Sequence, residues 1–292
     1  METEKKPRKK KVILCPNPYK DRELRTTRAA RALLEAAGFA VYISPELLDD
    51  ADAVLPPDLE YRELADVIDG AALVVSLGGD GTIMHTARRL IGHEIPIIGV
   101  NLGTVGFLAE LEQQDLHRLV EAANGAYEPS PRMMLEVSVE RDGETVFENY
   151  ALNDVSIHGI VQTIHMTACG DDRRILEFSG DGIVIASPTG STAYSLSAGG
   201  PIVEPTAENI ILTPICAHAL IARSFVLAPD RVVTVRLSQL RCRAVVSVDG
   251  GNFEMRDGDT LIVRKAAYRT MIAHVGGKAF YDIVFEKLGD AR

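Results

Sequence analysis

The chain has no tryptophan, and its aromatic residues make up only 5% of 292 positions. Its core must therefore be built mainly from Val, Ile, Leu and Ala. It is also poor in cysteine. Cys15, Cys169, Cys216 and Cys242 are far apart and form no CxxC pair, so neither a zinc site nor a disulfide framework is signalled. A reducing cytoplasm is the simplest home. The seven histidines contain no HExxH. No apolar run is long enough to cross a bilayer. The basic start, EKKPRKKK at Glu4 to Lys11, is soon interrupted by Pro16, Asn17, Pro18 and Tyr19, which makes it a poor secretion signal. That run is expected to be a solvated tail. With a net charge of −10, a general nucleic-acid binder is disfavoured, and neither nucleic acid nor membrane is expected as a partner. Three common phosphate signatures are missing too. There is no GxxxxGK[ST], no GxGxxG after a strand, and no VAIK, HRD and DFG set.

What remains is a globular chain, 46% hydrophobic and 25% charged, long enough for one large domain or two ordinary ones. The first part alternates strand-like and helix-like segments. KVILC (Lys11 to Cys15), Ala40 to Ile43, the unbroken apolar run AALVVSL (Ala71 to Leu77) and Ile95 to Val100 read as strands. Leu24 to Ala37, closed by Gly38, Tyr61 to Ile68 and Thr82 to Ile91 read as helices. This rhythm predicts a parallel sheet with helices on both sides. Beyond Pro129 and Pro131 the period changes. Met133, Leu135, Val137 and Val139 alternate with polar residues, and Asp142-Gly143 offers a hairpin turn. Val232 to Leu237, Arg243 to Val248 and Thr260 to Arg264 look similar. The expected fold is an α/β N-terminal domain with a parallel sheet (1–130), then a β-rich domain (131–270). A last segment (271–292), strand or short helix at Ala279 to Leu288, packs back on the first domain.

The stretch SLGGDGTIMH (Ser76 to His85) falls where a buried strand ends and a helix begins, the place where open α/β sheets bind ligands. Gly78, Gly79 and Gly81 are free to take positive φ and let a ligand reach the main chain. The helix start near Thr82 presents N–H groups and partial positive charge to phosphate. Asp80 repels phosphate, so it needs another use. It can hold a bridging cation, accept a proton from an attacking hydroxyl, or cap the helix. Downstream, NLGTVGFLAE (Asn101 to Glu110) brings Phe107 beside a glycine turn, as core or as a stacking platform. Asn153-Asp154 follows YAL; an amide can read a base edge and a carboxylate can accept from ribose hydroxyls, although the pair alone is usually a turn. The densest stretch, SGDGIVIASPTGSTAYSLSAGGPIVEP (Ser179 to Pro205), holds a second GDG, a strand at Ile183 to Ala186 and a cluster of hydroxyls suited to a flat polar ligand. A helix is expected to begin near Ser191 or Thr192.

Together, GGDGT, NLGTVGFLAEL, LND, DGIVIASPTGSTAYSLSAGGPIVEP, PICAHALIARSFVL and VDG (Val248 to Gly250) resemble the NAD kinase family, in family order from about Leu73 onward. GGDG alone is shared with diacylglycerol and sphingosine kinases and with phosphofructokinase; the long PTGSTAYSLSAGGP segment is the specific one. The resemblance implies phosphorylation of the adenosine ribose 2′-hydroxyl of NAD, with Mg²⁺ or another divalent cation, and ATP or polyphosphate as donor. It implies that Asp80 is the proton acceptor, and that Gly78, Gly79, Gly81 and Thr82 line the phosphate path. Asn153, Asp154, Asp181, Thr192, Ala193, Tyr194, Ser195 and Ser197 would bind the dinucleotide, with Phe107 against the adenine and His85 and His165 as weaker contacts. It further implies a homodimer or homotetramer whose pocket borrows residues from a neighbouring chain. Two departures stand out. Many relatives carry Gln where Gly251 follows Asp249-Gly250 here, so that contact is either lost or taken over by Asn252. Ser179 replaces the basic residue or glycine whose identity is linked to NADH acceptance. A lipid kinase and a non-catalytic dinucleotide sensor are the alternative readings.

Overall fold

A computed structural model describes residues 9–45, 54–103, 106–218, 222–276 and 279–289. Most of the basic run at 4–11, Thr104 and Val105 of the NLGTVGFLAEL stretch, and residues 219–221 of PICAHALIARSFVL lie outside the described residues. The chain divides into two compact units, 1–130 with 271–292, and 131–270.

In the first unit, β1 (Lys11–Pro16), β2 (Ala40–Ile43), β3 (Ala71–Gly78) and β4 (Ile97–Asn101) alternate with α1 (Arg25–Ala36), α2 (Leu64–Val67) and α3 (Asp80–Arg89). They are followed by β5 (Leu111–Glu112) and α4 (Arg118–Asn124). All strand pairs here are parallel, in the order β2-β1-β3-β4, with β5 beside β4. Leu73, Val74, Val75 and Leu77 are fully buried, as an unbroken aliphatic run requires. Because β2 and β3 flank β1 on opposite sides, the winding reverses there, and the crevice at the carboxyl ends of β1 and β3 is the switch point of the sheet. α1 closes on Gly38, whose φ of +93° and N–H donation to Glu35 O make the expected stop. α2 is shorter than the spacing of Tyr61 to Ile68 predicts. The Tyr61 hydroxyl donates to Pro56 O and the Arg62 N–H to Ile43 O, which draws the first residues of that segment out of the helix.

The second unit is a pair of sheets. β6 (Glu128–Arg141) and β7 (Glu144–Ala151) form the expected hairpin, with Asp142 and Gly143 both at positive φ (+53° and +83°) as a two-residue turn of this type demands. β8 (Asp154–Gly159), β9 (Ile164–Gly170), β10 (Arg173–Gly180) and β11 (Gly182–Ala186) follow, then α5 (Tyr194–Ser197) and β12 (Ile210–Ile215). β13 (Phe225–Leu227), β14 (Val233–Ser238), β15 (Ala244–Val248), β16 (Gly251–Met255) and the long β17 (Thr260–His274) complete it. One sheet runs β10-β9-β14-β17 with β6 and β7 attached; the other, β13-β12-β11-β8-β15-β16, is wholly antiparallel. Alternate residues of both, among them Leu135, Val137, Val155, Ile157, Ile183, Val235, Val246 and Leu261, make one core. At its far end β17 returns to the first unit, where Ile272 pairs in parallel with Ile97. The chain then closes with a helix, α6 (Phe280–Leu288).

Candidate active site

In the first unit β3 ends at Gly78 and α3 begins two residues later, at Asp80, with Gly79 between. The three glycines do not use positive φ, contrary to the expectation. Gly79 is extended (φ −146°, ψ −170°), a conformation open to any residue. Two of them, Gly78 and Gly79, have a neighbour where a Cβ would stand, whereas Gly81 has open space there. A Cβ on Gly78 would stand 2.2 Å from Thr82 Oγ1, and one on Gly79 would stand 2.8 Å from Lys20 Nζ. Thr82 is buried and accepts from Asn17 Nδ2 at 3.3 Å, so it braces the turn from behind.

Asp80 is not bare, as the glycine-rich sequence suggested. Its Oδ2 accepts from the N–H of Phe107 at 2.6 Å, and its Oδ1 from those of Leu108 and Ala109 at 3.1 and 3.2 Å. Three successive amides make an anion-binding concavity. Gly106 is what lets that loop close, since a Cβ there would overlap Asp80 Oδ1 at 1.8 Å. An ionised carboxylate has about four acceptor positions. Three are filled, which leaves one on Oδ2. The Phe107 ring carries the Lys287 ammonium of α6 at 4.2 Å from its centroid, so one face already has a cation on it. His85, on α3, lines a cleft with Tyr61, Arg62, Asp66 and Arg89, and the GGDG turn is not among the residues of that cleft.

In the second unit the Asn153-Asp154 turn is held in the same manner by a residue that sequence reasoning gave no role. Asp249 Oδ2 accepts from Leu152 N–H at 2.7 Å, and Oδ1 from the N–H groups of Asn153 and Asp154, both at 3.1 Å. Its position in VDG was visible; its partners, about a hundred residues earlier, were not. Ser187 ties the other side, donating its hydroxyl to Leu152 O and its N–H to Asn153 O. Gly190 lets the hydroxyl-rich segment approach, because a Cβ there would lie 2.1 Å from Asn153 O. Burial, and next the Asp249 charge, push the Asp154 carboxyl up to about 7; the main-chain N–H of Tyr194 works in the opposite direction.

Thr189–Thr192 is a 3-10 turn and α5 starts only at Tyr194, after Ala193 breaks the path with φ −99° and ψ −127°. Thr192 Oγ1 donates to Thr189 O at 3.4 Å, while Ser197 is exposed on the last position of α5. Ser195 is fully buried and its hydroxyl meets Thr213 Oγ1 at 3.4 Å, so it supports the segment from inside. The Tyr194 ring is 5.4 Å from that of His158 at an interplanar angle of 30°, a stacked pair. Burial, then Asp154, raises the Tyr194 phenol; burial lowers His158, with Asp181 opposing. Asp181, exposed between β10 and β11, accepts from the Cys216 thiol, whose pKa rises for that reason first. Asp154, His158, Asp181, Tyr194 and Cys216 thus make one polar cluster; His158 and Cys216 are members that the sequence did not single out. His165 lies on the other sheet of this unit, with Nδ1 3.1 Å from Ser179 Oγ and Nε2 3.5 Å from Glu177. Among the described residues no group of three or more His, Cys, Asp or Glu is placed to hold a metal ion.

Comparison with known proteins identifies the family. The family model described as ATP-NAD kinase N-terminal domain matches residues 12–125, and that described as ATP-NAD kinase C-terminal domain matches residues 152–275. A protein named NAD kinase from Acetivibrio thermocellus is 37% identical over 288 residues, covering 96% of this chain and 97% of its own. One of the same name from Heliobacterium modesticaldum is 42% identical over 246 residues, 83% of this chain and 86% of its own. Among solved structures, yeast NADH kinase complexed with NADH superposes with a TM-score of 0.82 at 24% identity, covering 98% of this chain and 89% of that one. An NAD kinase from Archaeoglobus fulgidus in complex with ATP gives 0.70 at 23% identity, over 96% of this chain and 98% of that one. At those identities the two structures speak for the fold.

Proposed function

The chain belongs to the NAD kinase family, and on that premise we propose that it transfers the terminal phosphoryl group of ATP to the 2′-hydroxyl of the adenosine ribose of NAD, giving NADP. The hydroxyl oxygen forms a bond to the γ-phosphorus, the bond from that phosphorus to the β–γ bridging oxygen breaks, and ADP leaves with the electron pair. Asp80 takes the hydroxyl proton. The observation that carries this reading is the state of Asp80. Its carboxylate is aimed by three main-chain N–H groups, and one acceptor position on Oδ2 is left at the positive end of α3. A group held in this way needs little reorganisation when the proton arrives.

Gly78, Gly79 and Gly81 line the donor phosphates, with Thr82 bracing the turn behind them. Asn153, Asp154, Asp181, Thr192, Ala193, Tyr194 and Ser197 bind the dinucleotide, the Asp154 carboxylate accepting from sugar hydroxyls, and Ser195 backs them from within. Phe107, His85 and His165 are secondary contacts. A divalent cation such as Mg²⁺ fits as a companion of the donor. Mg²⁺ is usually held by substrate phosphates, waters and one or two carboxylates, which suits a turn with a single acid. Bound there, it would neutralise phosphate charge. The protein works as a homodimer or homotetramer in the cytoplasm. One coupled assay tests the activity. Pure protein is given NAD or NADH with ATP or polyphosphate and Mg²⁺, and NADP or NADPH is measured. The expected product is NADP from NAD and ATP; no product with either donor would overturn the proposal.

A further inference from the structure

The loop after β1 reads PNPYK, Pro16 to Lys20, and the function above does not account for it. It is fastened to the GGDG turn at two points. The Asn17 N–H donates to Leu77 O at 2.8 Å, and the buried Asn17 side chain donates through Nδ2 to Thr82 Oγ1 at 3.3 Å. The main chain then coils on itself, with the N–H groups of Tyr19, Lys20 and Asp21 all returning to Asn17. This coil brings the Lys20 ammonium over Gly79. A Cβ built on Gly79 would lie 2.8 Å from Lys20 Nζ and would meet no other atom within 4 Å. Since the backbone of Gly79 is extended, its conformation does not ask for glycine; a Cβ there would displace only the movable end of the Lys20 side chain, so what glycine provides is room for the ammonium against the main chain.

The charge of Lys20 has no ion-pair partner among the described residues. The neighbouring acid, Asp21, spends its carboxylate on the start of α1, accepting from the N–H groups of Thr26 and Thr27 and from the Thr27 hydroxyl. Among the described residues Lys20 forms no ion pair and no side-chain hydrogen bond. The ammonium also stands at the switch point of the sheet, where the carboxyl ends of β1 and β3 diverge. A positive side chain, glycine main chain and the N-terminus of a ten-residue helix converge there. A compact ammonium of this kind suits phosphate as a point charge.

We propose that Lys20 anchors the terminal phosphates of the triphosphate donor, and that position 79 is glycine to seat its ammonium. This rests on ATP being the donor. A merely solvated surface lysine would leave donor binding untouched. Lys20 is exposed, so Lys20→Met is expected to fold normally. The KM for ATP, and the Kd for ATP titrated without NAD, should rise about 10- to 100-fold, with the KM for NAD unchanged. Lys20→Arg should recover part of that loss. Inorganic tripolyphosphate should bind the natural protein and lose affinity in Lys20→Met by a similar factor. Gly79→Ala should weaken ATP, and the Lys20→Met/Gly79→Ala double variant should be no worse than the worse single one. Unchanged ATP and tripolyphosphate affinity in Lys20→Met would overturn the assignment. Fully additive losses would overturn the link between the two positions. Failure of the natural protein to form NADP from ATP is a different result and counts against the activity itself.

Discussion

In each unit of this protein an aspartate beside glycine grips a distant turn by three consecutive amides. Asp80 takes Phe107, Leu108 and Ala109; Asp249 takes Leu152, Asn153 and Asp154. In both, the first amide goes to Oδ2 and the next two to Oδ1. The backbones differ. Asp80 opens an α-helix, whereas Asp249 sits at φ +43° in the tight turn between β15 and β16, followed by Gly250 at +90°. What they grip differs as well. The loop at 107–109 brings apolar side chains, while the turn at 152–154 brings a second carboxylate toward the first. One device, used twice, therefore has two consequences. In the first unit it fixes the direction of the gripping carboxylate itself. In the second it places a neighbouring carboxyl, Asp154, and shifts its titration.

The sharpest way to separate the two is to remove each charge. Asp80→Asn should lower kcat by about 10²–10⁴-fold while NAD still binds, as measured by steady-state kinetics and titration calorimetry. Unchanged turnover would take Asp80 out of the proton-accepting role. Asp249→Asn should act on the other parameter. Losing a charge-assisted grip on buried amides costs about 1.5–3 kcal/mol, so urea unfolding should shift by that amount. The KM for NAD should rise about tenfold or more, with kcat much less affected. A fall in kcat as large as that of Asp80→Asn would erase the distinction between the two aspartates.

A smaller effect should appear in pH dependence. Asp154 has an ordinary value of 3.8 and is raised to about 7 in the folded protein. Between these values the folded state binds the extra proton, so this group's contribution to stability is full below about 4 and is lost as pH rises through about 7. Binding runs the other way if the carboxylate accepts from sugar hydroxyls. NAD affinity should then improve as pH rises through about 7. Burial stays in Asp249→Asn but the second charge goes, so the inflection should move to lower pH in that variant. The same midpoint in both proteins would show that Asp249 does not act on Asp154 through its charge. The smallest change concerns Gly81, which is exposed on the first turn of α3 with open space where a Cβ would stand. Gly81→Ala should raise stability by about 0.5–1 kcal/mol in thermal or urea unfolding. If activity falls while stability rises, a ligand uses that space; if activity holds, Gly81 is not part of the phosphate path.

Much of the architecture was legible in short-range pattern. β2 matched its expected residues, β1 and β3 ran one residue longer than expected, and Asp142-Gly143 formed the turn its sequence demands. The β9–β10 hairpin was passed over. Ile164, Met166 and Ala168 do alternate with His165, Thr167 and Cys169, but those three are too weakly polar to make the period stand out. β17 was foreseen only to Arg264 although it runs to His274, because Lys265, Ala266 and Ala267 interrupt the alternation. The closing segment, open between strand and helix, is helical.

For the site, composition and spacing were enough to mark the acids, glycines and hydroxyls at 78–82, 153–154 and 179–205, since local turn chemistry and ligand access are written in side chains. Where those side chains point was settled only by the folded chain. The carboxylate at Asp80 turns to amides about 27 residues on, and that at Asp249 to amides about 95 residues back. A main-chain N–H is the same at every position except proline, so no residue type announces which distant acid it will satisfy. Lys20 over Gly79 has the same origin, an encounter between two loops that are neighbours only because β1 and β3 are paired.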